Sequence, residues 1–78
     1  MILEIITPEE KVFEGEVSSV QFPGSDGKFE VLNNHAPIIS SLVKGNIRVI
    51  DINNNSSNFP ISGGVIEMQN NKIIVLAD

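Results

Sequence analysis

The sequence has no cysteine, tryptophan or tyrosine, and a single histidine, His35. Without cysteine there is neither a disulfide framework nor a thiolate metal site, and a short chain without disulfides fits a reducing compartment better than secretion. Stacking on sugars or bases normally uses exposed aromatic rings, and the only aromatics are four phenylalanines. Basic residues are scarce: five stand against ten acidic ones, for a net charge of −5. That balance argues against a nucleic-acid backbone or an anionic membrane surface as the main partner. No apolar run approaches the roughly 18 residues of a membrane span. The first basic residue is Lys11, so no signal-peptide n-region precedes the first apolar segment. The expectation is one soluble, acidic, cytosolic domain over residues 1–78, with no direct membrane insertion.

Isoleucine and valine supply 20 residues, whereas leucine, alanine and methionine supply 8. β-Branched side chains are stiff at χ1 and pack well on a pleated surface, so this bias favours strands over helices. Six glycines, four prolines and nine asparagines punctuate the chain, at the spacing of an all-β sandwich or barrel. Residues 2–6 form a first strand, stopped by the Thr7-Pro8 turn. Between residues 12 and 22 the pattern changes phase: Phe13, Gly15 and Val17 share one face, and Val20 and Phe22 the other. A strict period of two cannot carry both sets, which predicts a bulge or bend near Ser18-Ser19, able to pass the chain from one sheet to another. Gly24-Ser25-Asp26-Gly27 reads as a hairpin turn needing positive φ, and Asn70-Asn71 as a two-residue hairpin turn. Lys44-Gly45 reads as a strand break. A second phase change is expected from Ile47/Val49 to Ile50/Ile52, a mobile polar loop at 53–58, and a short strand at 59–61. The segments 73–76 and 38–39 are apolar on both faces. Either loops and bends cover the outer face, or some of it docks on a partner protein.

Little chemistry is available. His35 with Ser40 or Ser41 and a carboxylate is formally a triad, but no nucleophile elbow surrounds either serine. A metal site would have to combine His35 with Asp26 or Glu30, without the spacing of a dedicated site. The glycines form no phosphate-binding loop, since neither Lys-Ser nor Lys-Thr follows them. No catalytic residue, cofactor site or metal site is assigned. Apart from any resemblance, a small β-sandwich interaction or ligand-binding module and a small enzyme using His35 both stay open.

Three blocks, in order, resemble the N-terminal β-domain of the epsilon subunit of F-type ATP synthases. They are the Gly24-Ser25-Asp26-Gly27 turn running into Leu32; His35-Ala36-Pro37-Ile38-Ile39; and Ser62-Gly63-Gly64-Val65-Ile66-Glu67-Met68 running through Val75-Leu76-Ala77-Asp78. Phe13-x-Gly15 after a Thr-Pro turn also fits. The resemblance implies an all-β, two-sheet sandwich of about ten short strands and a non-catalytic rotor role. In that role the domain links the gamma subunit to the c-ring in a proton-translocating synthase, peripheral to the cytoplasmic face of a bacterial inner membrane. By position, Thr7, His35, Ala36, Pro37, Ile39 and Ser40 would face gamma, and Ser25, Asp26, Gly27 and Lys28 the c-ring. Lys28 stands where the family commonly has an acidic residue, and Asn33-Asn34 where it often has Pro-Gly. Most relatives continue after Leu-Ala-Asp into two helices that can inhibit ATP hydrolysis; the sequence stops at Asp78, so that inhibition is not carried over.

Overall fold

Six strands account for most of the chain: β1 (Ile2–Ile6), β2 (Lys11–Gly24), β3 (Gly27–Leu32), β4 (Ile38–Asp51), β5 (Ser56–Gln69) and β6 (Lys72–Ala77). The computed structural model describes Met1–Asp78 throughout and contains no helix. The expectation of an all-β, two-sheet sandwich of short strands holds, with several of those strands joined end to end, since β2, β4 and β5 run 14 residues each and bend midway. Lys44-Gly45 and Gly63-Gly64 do not interrupt their strands. The β4–β5 ladder passes through Leu42↔Gly64, Val43↔Gly63 and Gly45↔Ile61 without a register shift. A glycine bends a strand here without ending its hydrogen bonding.

The strands are ordered β1-β6-β5-β4-β2-β3, and an extra β1–β2 pairing closes the ring. Because the three long strands bend, the ring flattens into two layers of shorter segments. One layer holds residues 11–16 of β2, then β1, β6, residues 64–69 of β5 and residues 38–43 of β4. The other holds β3, residues 17–24 of β2, residues 46–51 of β4 and residues 56–61 of β5. β1 and β6 are parallel and all other pairs antiparallel.

Each bend shows in the side-chain pattern. On β2, Val17 pairs with Asp51 and Ser19 with Ile50, so Ser18 is the extra residue of a bulge. Its hydroxyl donates to the Ile50 and Asp51 carbonyls at 3.1 and 3.2 Å. This is the bend foreseen near Ser18-Ser19. On β5, Phe59 and Ile61 pack on the core before Gly63-Gly64, and Ile66 and Met68 are buried after it. On β4, Leu42 is buried before the bend and Ile47 and Val49 after it. The second phase change therefore lies near Lys44-Gly45 and not at Ile50/Ile52. Ile50 is half-buried and Ile52 stands exposed in the following turn, where its apolar character mimicked a core position. The 53–58 region is likewise no loose loop. Asp51 Oδ1 accepts from the Asn53 and Asn55 amides at 2.8 and 2.9 Å, an Asx turn, and β5 begins at Ser56.

Fifteen apolar residues make one core between the layers, with Leu3, Val17, Phe22, Ile47, Ile66 and Ile73 fully buried. The hairpin readings hold: Asn70 and Asn71 have φ of 53° and 59°, and Gly27 of 118°. Glu4 is the one largely buried carboxylate, held by Lys72 at 3.3 Å and Lys11 at 3.5 Å. The hydrogen bond from Lys72 and the two positive charges outweigh desolvation and hold Glu4 below its ordinary value of 4.5.

Two tests follow from these contacts. A Cβ on Gly27 meets nothing within 4 Å, although its φ is unfavourable for an L side chain. Gly27→Ala should therefore cost about 1–2 kcal/mol. A Cβ on Gly64 overlaps the Leu76 carbonyl, so Gly64→Ala should cost roughly 3 kcal/mol or more. Equal denaturation midpoints for the two variants would show that the β5 bend tolerates a side chain. Because the folded-state pKa of Glu4 is depressed, its contribution is present above about pH 4.5 and disappears as the pH falls through the lower folded value. Glu4→Gln should be less stable than the wild type at pH 7 and lose less stability on acidification, measured as denaturation midpoints against pH.

Candidate functional site

The outer face of the β1-β6-β5-β4 layer carries the clearest candidate surface. After the Gly63-Gly64 bend, Val65 turns outward while Ile66 turns into the core. Cross-strand pairing puts Val65 between Ser41 and Leu76, and Glu67 between Ile39 and Ile74. Ile39, Val65, Ile74 and Leu76 thereby line one shallow, mostly apolar depression, with Glu67 standing between Ile39 and Ile74. Ile39 is 79% exposed, Leu76 52% and Val65 45%. Ile39, Val65 and Leu76 stay uncovered by any loop or bend of the chain, while Ile74 is half-buried.

The residues that the sequence singles out fall into three groups. Ile39 belongs to the apolar depression, and Pro37 and Ile39 line a second depression beside it with Met68. Thr7 caps the β1–β2 turn, where its amide donates to the Glu10 carbonyl at 2.9 Å and its Oγ1 accepts from the Glu10 amide at 3.2 Å. It follows Ile6, the partner of Leu76, and so lies beyond the far edge of the same face. Ser40 is half-buried and its hydroxyl donates to the Ser41 carbonyl at 3.2 Å. Ser25, Asp26, Gly27 and Lys28 make the β2–β3 turn, and the Ser25 amide donates to the Ser41 carbonyl at 3.1 Å. The two predicted contact sets are thus neighbours along β4.

His35 and Ala36 sit exposed on the β3–β4 loop, where the His35 Nδ1 lies 2.8 Å from the Ala36 carbonyl oxygen. Neither Ser40 nor Ser41 hydrogen-bonds the imidazole; the Ser40 hydroxyl is engaged with the backbone instead. No three His, Asp or Glu side chains converge as a metal site would need. The loop is fastened from a distance. Asn71, in the β5–β6 turn, accepts from the Asn34 amide through Oδ1 at 2.8 Å and donates from Nδ2 to Asn33 Oδ1 at 3.3 Å. The same Asn33 oxygen accepts from the amino group of Met1 at 2.9 Å. Sequence reading recognised Asn71 as a turn former and missed this clasp, since nothing local ties Asn34 to a residue 37 positions away.

Asn71→Gly keeps a residue suited to positive φ while removing the clasp. It should accelerate amide exchange at Asn34 by about tenfold, while amides of the β5–β6 ladder stay protected. Unchanged exchange at Asn34 would show that the loop holds its shape without Asn71.

A family model for the beta-sandwich domain of the ATP synthase delta/epsilon chain matches residues 1–78. The chain is 40% identical over 76 residues to the ATP synthase epsilon chain of Chlorobium limicola, covering 97% of this chain and 86% of that one. It is 46% identical over 76 residues to the epsilon chain of Campylobacter curvus, of which it spans 59%. Among solved structures, a chain in the Euglena gracilis mitochondrial ATP synthase OSCP/F1/c-ring assembly superposes with a TM-score of 0.92 at 20% identity, over 99% of this chain and 49% of that one. A chain in the Tetrahymena thermophila mitochondrial central stalk/c-ring structure gives 0.79 at 18% identity, over 99% and 62%. At such identities the structural likeness speaks to the fold, and the two-layer sandwich agrees with it. With the whole length matched and two bacterial relatives at 40% identity or above, the chain belongs to the ATP synthase delta/epsilon-chain beta-sandwich family.

Proposed function

We propose that the chain is a non-catalytic rotor component of an F-type ATP synthase, joining the gamma subunit to the c-ring so that ion flow drives ATP synthesis. The observation that carries this reading is the uncovered apolar depression of Ile39, Val65, Ile74 and Leu76. Leaving several large apolar side chains together in water is unfavourable, and docking removes that area at about 25 cal/mol per Å². Gamma is assigned to this face, with Ile39 on its β4 side, Thr7 near its far end, and His35, Ala36 and Pro37 on the adjoining loop. Ser40, paired with buried Ile66, turns its side chain inward and would meet gamma through its backbone. The c-ring is assigned to the turn formed by Ser25, Asp26, Gly27 and Lys28. Family membership supports the assignment of partners, and the sandwich suits the mechanics. Two layers sharing one core and a closed hydrogen-bonded ring resist shear, as a torque-bearing spacer requires. The reading also makes the chain a peripheral subunit at the cytoplasmic face of a bacterial plasma membrane, held through its partners; no helix is long and apolar enough to cross a membrane. The absence of an active site belongs to the proposal, supported by the engagement of His35 with its own loop.

Ile39→Asp puts a second negative charge beside Glu67 in the depression, at a side chain that is largely exposed. It should weaken gamma binding at least tenfold in a titration, whereas Ile52→Asp, exposed on a distant turn, should leave affinity unchanged. Equal affinity for Ile39→Asp and wild type would place gamma on another face.

A further inference from the structure

The five basic residues are not spread evenly. Lys11 and Lys72 are engaged with Glu4 and Glu14. The other three, Lys28, Lys44 and Arg48, line one cleft of about 460 Å³, and none has a carboxylate within ion-pair distance. The cleft has a backbone cause. β2 and β4 pair at Gln21↔Arg48 and next at Gly24↔Leu42, so five residues of β4 arch past two of β2. Pro23, one of those two, has no amide hydrogen to offer a ladder. Gly45, at the arch, leaves no room for a Cβ, which would lie 2.8 Å from the Pro23 Cβ. No carboxylate lines the hollow, while Gln21, Asn46 and Asn58 contribute side-chain amides. A chain of net charge −5 therefore gathers all its unpaired lysine and arginine side chains around one concavity.

We propose that this cleft receives an acidic polypeptide segment, with Arg48 gripping a carboxylate and Lys28 and Lys44 flanking it. Arginine can hold a carboxylate through two parallel hydrogen bonds, and the amides can satisfy the backbone of a short loop. A nucleic acid is disfavoured by the ten carboxylates elsewhere on the surface. Glu30 adjoins Arg48 in a smaller hollow beside the cleft and sets a boundary of sign that would fix the register of a bound segment. Lys28 belongs to the turn assigned above to the c-ring. The inference rests on that reading only for the partner's name: the ring loop seated here would carry the carboxylate.

Two measurements test it. In the first, the chain is titrated at low salt with hexaglutamate, with hexalysine and with inorganic phosphate, following backbone amide shifts. Hexaglutamate should give saturable shifts at Lys28, Lys44 and Arg48. Those shifts should vanish in Arg48→Glu and in Lys44→Glu, both solvent-exposed changes checked for wild-type melting. No shift with hexaglutamate, or equal shifts with phosphate at the same concentration, would overturn the proposal. In the second, c-ring purified from the same host is bound to the complex of this chain with gamma. Arg48→Glu should weaken ring binding at least tenfold at low salt and flatten its salt dependence, while gamma binding stays unchanged. Ring binding that is indifferent to Arg48→Glu and Lys44→Glu would overturn the proposal and leave the rotor reading standing. A wild-type complex that ignores the ring while the chain still takes hexaglutamate at these residues would overturn the c-ring assignment and support the acidic-segment cleft.

Discussion

The core of this 78-residue chain depends on its three long strands exchanging inner and outer faces midway along their length. The buried residues before and after each bend are out of phase, so a strand that kept a period of two would turn one of its two sets to water. The three 14-residue strands meet this requirement by different chemistry. β2 inserts Ser18 and satisfies its hydroxyl on the β4 backbone. β5 uses two glycines at φ of 154° and 153°. β4 arches at Gly45 against Pro23. Remove any one exchange and a row such as Ile66, Met68 or Ile47, Val49 faces water, at roughly 1.5–3 kcal/mol for each large side chain exposed.

The same bends create both surfaces proposed for binding. The β5 bend turns Val65 outward beside Leu76 and Ile39, making the apolar depression. The β4 arch opens the basic cleft between Gln21 and Leu42. Both lie along β4, and the Ser41 carbonyl that holds the Ser25 amide stands between them. A partner on the apolar face and a partner at the β2–β3 turn would therefore be joined through a few residues of one strand, whose other edge is zipped to β5 along its length. Such short, stiff coupling fits a subunit proposed to transmit rotation.

Much of this was legible in the residues. The β bias came from branched side chains, the Ser18-Ser19 bend from the clash of Phe13/Val17 with Val20/Phe22, and the Asn70-Asn71 turn from tolerance of positive φ. Ile52 misled because apolar identity does not reveal burial in a turn. Lys44-Gly45 misled because glycine signals bending and ending alike, and only the partner strand decides which. The exposed face was half visible, in segments apolar on both sides, but Val65 joined it only through the β5 bend. The cleft was invisible: Lys28 and Arg48 lie far apart in the chain and line one hollow only because β4 arches past β2, with Gly45 packed closely against Pro23. Asn71 escaped for the same reason, since its role depends on a loop reached through the fold.

The central claim is that the outer face of the β4-β5-β6 layer is an interface and not idle surface. Hydroxyl-radical footprinting of the chain alone and within the synthase assembled from its own host tests this side chain by side chain. The account predicts that Ile39, Val65 and Leu76, reactive in the free chain, become protected in the assembly, while Ile52 stays as reactive as before. Undiminished reactivity at Ile39 and Leu76 in an assembly that retains the chain would contradict it.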